Sequence, residues 1–334
     1  MLRAAIIGCG GIAYVHKKVL MGLPEAELVA CCDKVSEKAK KFAEDSKMHV
    51  YENFENLIRE EKPDVVHLCV PHPLHTPMAK YCVENGVNVF TEKPPIVNLA
   101  QWEMFYQLKN SNKYVGICFQ NRYNRSVIKV KDIIDSGKMG KPLGARAFLT
   151  WNRTRDYYVN SDWRGSWETE GGGALINQAI HTLDLLVYLL GRPKNVNCHM
   201  SNHSLQDYIE VEDTTEAFIF FESGVNACFY ATNAFCTNSL VMVEIVMEEG
   251  TLRMEGDSLT VILKDGSTEQ VEINTKAEFE KDYWGNSHYE CISDFYHAIM
   301  EKRPFQNDID SVEDTMRLMI KMYEPFAGRK IPVC

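Results

Sequence analysis

The chain has 334 residues, 45% of them hydrophobic and 25% charged, and a formal net charge of −10. That length allows two cores rather than one, and that acidity argues against a nucleic-acid or anionic-membrane partner, because phosphate is held mainly by Lys and Arg. Eleven cysteines are scattered without a CxxC pair, and Cys9, Cys69 and Cys118 sit in apolar runs, which reads as reduced thiols in a cytoplasmic chain. No stretch reads as a membrane span, and Met1–Gly11 does not read as a signal peptide.

Leu2–Ile7 predicts a short buried parallel strand. Gly8-Cys9-Gly10-Gly11-Ile12-Ala13 follows, a GxGxxG/A fingerprint with a strand before it and a helix after it. Gly8 permits the tight turn, Gly10 lets the backbone approach a pyrophosphate, and Ala13 lets the helix pack close to the strand. The N–H groups at the start of that helix, from Gly11 and Ile12 onward, suit phosphate oxygens. A second strand, Glu27–Cys32, ends at Asp33, an acid placed to accept hydrogen bonds from ribose hydroxyls and to repel a 2′-phosphate. NAD is therefore favoured over NADP, although the adjacent Lys34 weakens the preference. Helices over Ser36–Asp45, Phe54–Glu61, Thr76–Asn85 and Leu99–Asn110 alternate with strands over Asp64–Val70, Val87–Thr91 and Tyr114–Phe119. This alternation predicts a doubly wound parallel sheet, with Pro71–His75 and Thr91–Pro95 over the cofactor at its carboxyl ends.

After about residue 122 the pattern changes to strands over Pro142–Trp151, Asn195–Ser204, Thr214–Glu222, Val225–Thr232, Val241–Met247 and Leu259–Leu263. Helices are predicted only over Ser126–Ser136, Ala174–Leu190, His288–Glu301 and Ser311–Tyr323. The expected fold is an α/β Rossmann domain over residues 1–121, followed by an α+β domain over residues 122–334 with a mostly antiparallel open sheet.

Lys93 precedes Pro94-Pro95 at a strand end; a partly desolvated lysine near other cations can work as general base or acid, whereas a solvated loop lysine does nothing. Asn177 and His181, four apart, share a helix face, and Asp184 either contacts His181 or faces the core boundary. Gln120-Asn121-Arg122-Tyr123-Asn124 lies where the chain passes between domains, with polar groups for sugar hydroxyls and Arg122 for substrate or cofactor. The cluster from Tyr283 to His288 suits a sugar ring, and core packing explains it nearly as well. Glu210-Val211-Glu212-Asp213 reads as a solvated loop, and no histidine pair has the spacing and third ligand of a metal site.

These motifs, together with Val70-Pro71 and His75, Glu92-Lys93-Pro94, Asp162-Trp163-Arg164-Gly165, and Gly171-Gly172-Gly173 leading to His181 and Asp184, resemble the glucose–fructose oxidoreductase, inositol dehydrogenase and rhizopine-catabolism (Gfo/Idh/MocA) family. The resemblance implies an active site between the two domains. It places Lys93 beside the nicotinamide and the reacting hydroxyl, with Glu92 tuning it. It places Pro71, His75, Trp163 and Arg164 on the cofactor side. In many relatives an Asp stands at the position of Asn177; Asn cannot carry a proton, which leaves that work to Lys93 or His181.

The implied activity is NAD(P)-dependent oxidation or reduction of a secondary alcohol on a sugar, glycoside or cyclitol, with C3 as first guess. One alternative is redox-neutral glycoside cleavage through a transient 3-keto sugar with tightly bound NAD. Another is a cofactor-binding sensor without catalysis. Ala217–Phe221 and Val241–Met247 are apolar at nearly every position, so a homodimer or homotetramer joined through the second domain is expected.

Overall fold

The computed structural model describes residues 1–271 and 287–333. The chain divides into two compact units, Met1–Phe119 with His288–Glu313, and Gln120–Ser287 with Asp314–Cys334. A single boundary after residue 121 does not anticipate the return of His288–Glu313 to the first unit.

In the first unit, β1 (Leu2–Ile7), β2 (Ala26–Cys32), β3 (His49–Tyr51), β4 (Val65–Leu68), β5 (Asn88–Thr91) and β6 (Val115–Ile117) form one parallel sheet in the order β3-β2-β1-β4-β5-β6. The helices α1 (Gly11–Gly22), α2 (Ser36–Ala43), α3 (Phe54–Glu61), α4 (His75–Glu84) and α5 (Leu99–Gln107) connect them. β4 is buried at every position, as a strand covered on both faces must be. The order reverses between β1 and β4, the point where open parallel sheets receive ligands. The helix His288–Glu301 also belongs here: its Phe295 ring lies 5.2 Å from that of Phe90. Gly116 on β6 leaves room for that ring, since a Cβ there would stand 2.7 Å from Phe295. The sequence reading misses β3, a three-residue edge strand without a buried position.

In the second unit, α6 (Arg125–Ser136) leads into β7 (Pro142–Thr150), and α7 (Arg155–Val159) and α8 (Ile180–Leu190) come before β8 (Pro193–Ser201). β9 (Thr214–Phe221), β10 (Asn226–Thr232), β11 (Met242–Met247), β12 (Gly250–Glu255), β13 (Ser258–Leu263) and β14 (Thr268–Val271) complete an eight-stranded sheet in the order β14-β13-β12-β11-β7-β10-β9-β8. Every neighbouring pair is antiparallel except β7 and β10. The sequence reading misses α7, β12 and β14; β12 buries only Leu252 and Met254 between a glycine and charged residues, and β14 is an exposed edge.

One face of this sheet is core, built on Leu149, Ile219, Phe229 and Ile245. The apolar runs alternate in burial: Phe218 is 54% exposed and Val246 40% on the opposite face. Arg146 and Arg253 flank Glu244 on that face at 2.8 and 2.6 Å. No helix among the described residues is long and apolar enough to cross a membrane. Phe229 is 1% exposed at the middle of β10, so Phe229→Ala should cost about 3–5 kcal/mol of stability. Urea unfolding checks this, and a loss under about 1 kcal/mol would mean that the core face is misassigned.

Candidate active site

The chain leaves β1 through Gly8 at φ +90°, where a Cβ would come within 2.3 Å of the Cys69 carbonyl oxygen. Only glycine fits there. A Cβ at Gly10 or Gly11 would meet nothing within 4 Å, and no side chain caps the start of α1. The first N–H groups of α1 therefore face an open cradle, the arrangement that binds a pyrophosphate. Asp33 stands at the end of β2. Its Oδ2 accepts from Cys9 N–H and its Oδ1 from Val35 N–H, both at 2.9 Å, so the acid is fixed against the glycine turn. These residues fit a dinucleotide with its ribose at Asp33.

Glu92 and Lys93 leave the carboxyl end of β5, and the Lys93–Pro94 peptide is cis. The loop is held by its carbonyls. His75 Nδ1 donates to Pro94 O at 2.6 Å, and Thr76 Oγ1 donates to Pro95 O at 2.8 Å. His75, expected on the cofactor side, is 1% exposed and serves this loop; burial holds its imidazole below the usual range. Pro71 begins the short helical turn His72–Leu74 that leads into α4. Lys93 stays partly exposed, while Glu92 beneath it is buried.

Glu92 is the end of a buried chain. His16 Nε2 lies 2.9 Å from Glu92 Oε1, His16 Nδ1 lies 2.9 Å from His67 Nδ1, and His67 Nε2 lies 3.0 Å from the Tyr296 hydroxyl. Burial works to raise the Glu92 carboxyl, but the His16 hydrogen bond and the charges of His16, His288 and Lys93 outweigh it and hold it well below the carboxylate range. Burial works to lower His16, but the Cys69 and Cys118 thiols and Glu92 outweigh it and raise the ring well above the usual range. Burial and the His16 charge lower His67 well below it. The opposed shifts favour opposite charges on the two groups. Among the described residues, His16, Glu92 and Cys118 also have the proximity of metal ligands. In this structure His16 meets Glu92 directly through Nε2 and His67 through Nδ1.

His288, expected to touch substrate, is 3% exposed, and burial pushes its imidazole down to about 4. Its ring centroid is 6.4 Å from that of His16, so it belongs to the packing around the chain of histidines. Tyr283 lies outside the described residues.

In the second unit, Arg122 is not the ligand-reaching residue expected. It is 2% exposed, and its Nε and Nη2 donate to Asp184 Oδ2 and Oδ1 at 2.7 and 2.6 Å. Thr315 Oγ1 also donates to Asp184, at 2.8 Å. Asp184 thus serves Arg122, and the bidentate pair fixes the Gln120–Tyr123 turn on α8. Tyr123 remains partly exposed. Gln120 Nε2 lies 3.4 Å from His181 Nε2. Asn177 and His181 are both partly exposed, but the regular α-helical face expected for them is interrupted by a π-turn over Leu175–Ala179. Such turns recur at functional sites. The Arg164 guanidinium carbon lies 4.3 Å from the centroid of the Tyr157 ring and 4.7 Å from that of Trp163.

Of the acidic stretch expected to be solvated, Glu210 is exposed but Val211, Glu212 and Asp213 are each 0% exposed. Glu212 accepts from Gly173 N–H, Leu175 N–H and the Tyr323 hydroxyl at 3.0, 2.9 and 2.7 Å. A Cβ on Gly173 would meet the Glu212 carbonyl oxygen at 1.9 Å, which is why this helix starts on glycine. Sequence reasoning misses His16 and Glu170, and it reads Glu212 as a solvated loop residue. The available signal for His16 was a polar residue in apolar register with Ala13 and Leu20, both buried on α1.

A doubly wound sheet with a glycine turn, an acid after its second strand and an anchored lysine defines a Rossmann-type dinucleotide oxidoreductase. Residues 2–118 match the "Oxidoreductase family, NAD-binding Rossmann fold", and residues 127–253 match the "GFO/IDH/MocA C-terminal domain". The chain belongs to the Gfo/Idh/MocA oxidoreductases, as its motifs led one to expect. It is 25% identical over 322 residues to the scyllo-inositol 2-dehydrogenase (NAD(+)) of Bacillus subtilis, covering 93% of this chain and 90% of that protein. It is 31% identical over 205 residues to the D-glucoside 3-dehydrogenase of Escherichia coli, covering 59% of this chain and 57% of that protein. The WlbA dehydrogenase from Bordetella pertussis, solved with NADH and UDP-GlcNAcA, shares the fold at a TM-score of 0.84 and 24% identity, covering 100% of this chain and 99% of that one.

The His16–Glu92 pair sets a pH dependence. A lowered carboxyl contributes stability that is present above the ordinary carboxylate range and is lost as pH falls; a raised histidine contributes below its ordinary value and loses this as pH rises through the raised one. His16→Gln should therefore cost about 3 kcal/mol at neutral pH, and the gap to wild type should narrow as pH drops below about 4.5. Urea unfolding at several pH values measures the gap, and one that stays constant into acid would show that the pair carries no charge.

Proposed function

We propose that this protein is an NAD-dependent dehydrogenase of a secondary alcohol on a sugar, glycoside or cyclitol. The observation that carries the reading is Lys93, partly exposed at the carboxyl end of the parallel sheet, in the unit that carries the glycine cradle, on a loop whose carbonyls are held by His75 and Thr76. NAD, when bound, supplies the hydride acceptor; the chain supplies alignment and the handling of the hydroxyl proton. Lys93 and His181 are the candidates for taking that proton. Asn177 and Tyr123 serve as hydrogen-bonding contacts for neighbouring hydroxyls. Trp163 and Arg164 serve the cofactor side. Gly8, Gly10, Gly11, Ile12 and Asp33 hold the dinucleotide.

C3 is the favoured carbon, supported by the likeness to D-glucoside 3-dehydrogenase. The test is a panel of glycosides, inositols and sugars with NAD and NADP, read by nicotinamide absorbance and product chromatography. Net NADH formation on at least one polyol is the expected result. Bond cleavage without net NADH would assign the redox-neutral reaction instead, and no turnover on any polyol would reject both. Lys93→Ala should keep NAD binding and lower turnover roughly a hundredfold or more; a variant that keeps most of its turnover would remove Lys93 from the chemistry.

A second copy of the chain is the proposed cover for the outer face of the eight-stranded sheet, which exposes Phe218 and Val246 beside the Arg146–Glu244–Arg253 ion pairs. Light scattering in dilute solution should give the mass of about two or four chains. An active monomer at micromolar concentration would overturn this.

A further inference from the structure

Glu170 stands directly before the glycine run and is 1% exposed. Its two carboxyl oxygens serve different segments. Oε2 accepts from the backbone N–H of Gly165, at the end of the Trp163-Arg164 loop, at 2.6 Å. Oε1 accepts from the side-chain amide of Asn177. The Glu170 N–H in turn donates to Ser166 O at 2.9 Å, so the segment between the loop and the glycines closes on itself. Asn177 stays partly exposed above this buried carboxyl.

The two ends of an amide are chemically unlike: the NH2 donates and Oδ1 accepts. An ionised carboxylate only accepts, so it takes the NH2 end. A protonated carboxyl can also donate, and then either end of the amide fits against it.

We propose that Glu170 is the positioning residue of the substrate side: its carboxylate sets the orientation of the Asn177 amide, and protonation of Glu170 lets that amide turn over and present a different hydrogen-bonding face to the sugar. The inference rests on the reading of Asn177 and His181 as substrate contacts. Among the described residues, the charged and titratable groups facing Glu170 are Arg164 on its loop, Glu212 beside the glycine run, Tyr157 and Tyr158 on α7, and Tyr323 on the last helix. Burial pushes the Glu170 carboxyl up to about 7, against the pull of Gly165 N–H, Asn177 and Arg164, and the Glu212 charge adds to the rise. Near neutral pH the protonated form that admits the second orientation of Asn177 is therefore within reach. Glu212 has no such role, because its donors are two backbone N–H groups and the buried Tyr323 hydroxyl, none of them a partly exposed side-chain amide.

Two measurements test the proposal. The first is the KM for the best polyol across about pH 5.5–8.5. In the wild type it should inflect near 7; in Glu170→Gln the inflection should vanish and KM should rise about tenfold, with kcat and NAD affinity little changed. The second is the ¹⁵N-detected side-chain amide of Asn177, assigned by its loss in Asn177→Asp. It should titrate with a midpoint near 7 in the wild type and stay constant in Glu170→Gln. An unchanged KM inflection in the variant, or a wild-type amide that does not titrate, overturns the proposal. The wild-type arm of the amide titration needs no turnover and does not depend on Glu170→Gln folding. If the wild type oxidises no polyol, the functional reading fails, and the titration still decides whether Glu170 governs Asn177.

Discussion

No side chain fits between the carboxyl ends of β1 and β4. That close approach, 2.3 Å from a Cβ on Gly8 to the Cys69 carbonyl oxygen, governs the ligand-facing edge of the first unit. The chain turns at once into α1, whose first N–H groups are left without a side-chain cap. Asp33 closes back on Cys9 across the same turn. The direction of α1 then determines where His16 arrives, a turn and a half into the helix, against Glu92. One helix thus offers its positive end to a pyrophosphate and, from its buried face, neutralises the acid next to Lys93.

The buried ionisable groups of the two units solve the cost of burial in different ways. His16 with Glu92, and Arg122 with Asp184, keep opposite charges in direct contact. Such pairs demand close geometry, since each partner alone would be an uncompensated charge. Glu170 and Glu212 follow the other route: burial raises both carboxyls to about 7, so charge is reduced rather than matched. The first arrangement gives a fixed electrostatic setting over a wide pH range, and the second gives one that responds to pH.

The alternation of strands and helices and the Gly8 turn were legible because each is a local pattern: period, punctuation and one constrained backbone angle. The helix Phe54–Glu61 has the ends expected from its sequence, with Asn53 as cap. Elements that draw little on burial were not legible, such as the three-residue β3 and the exposed β14. At the site, residues with a motif around them could be named, whereas their supports could not. Arg122 looks like a ligand contact until Asp184, 62 residues away, is brought against it. The same holds for His16 and Glu92, 76 residues apart, and for Glu212, which reads as solvated until the glycine helix start closes over it. Long-range pairing converts surface-looking polar residues into interior ones, and no local period records it.

The return of His288–Glu313 to the first unit bears on how the chain emerges from a ribosome. Until that segment is made, β6 lacks the Asn307 carbonyl that accepts the Ile117 N–H at 2.9 Å, and Asn307 cannot donate to Phe119 O. Phe90 and Gly116 lack the Phe295 ring that fills the space beside them. The strands of the second unit are synthesised before that moment. Of the two units, the one whose strands are made first is therefore the one whose core is completed late, with β6 open as a bare edge while the strands of the second unit are made.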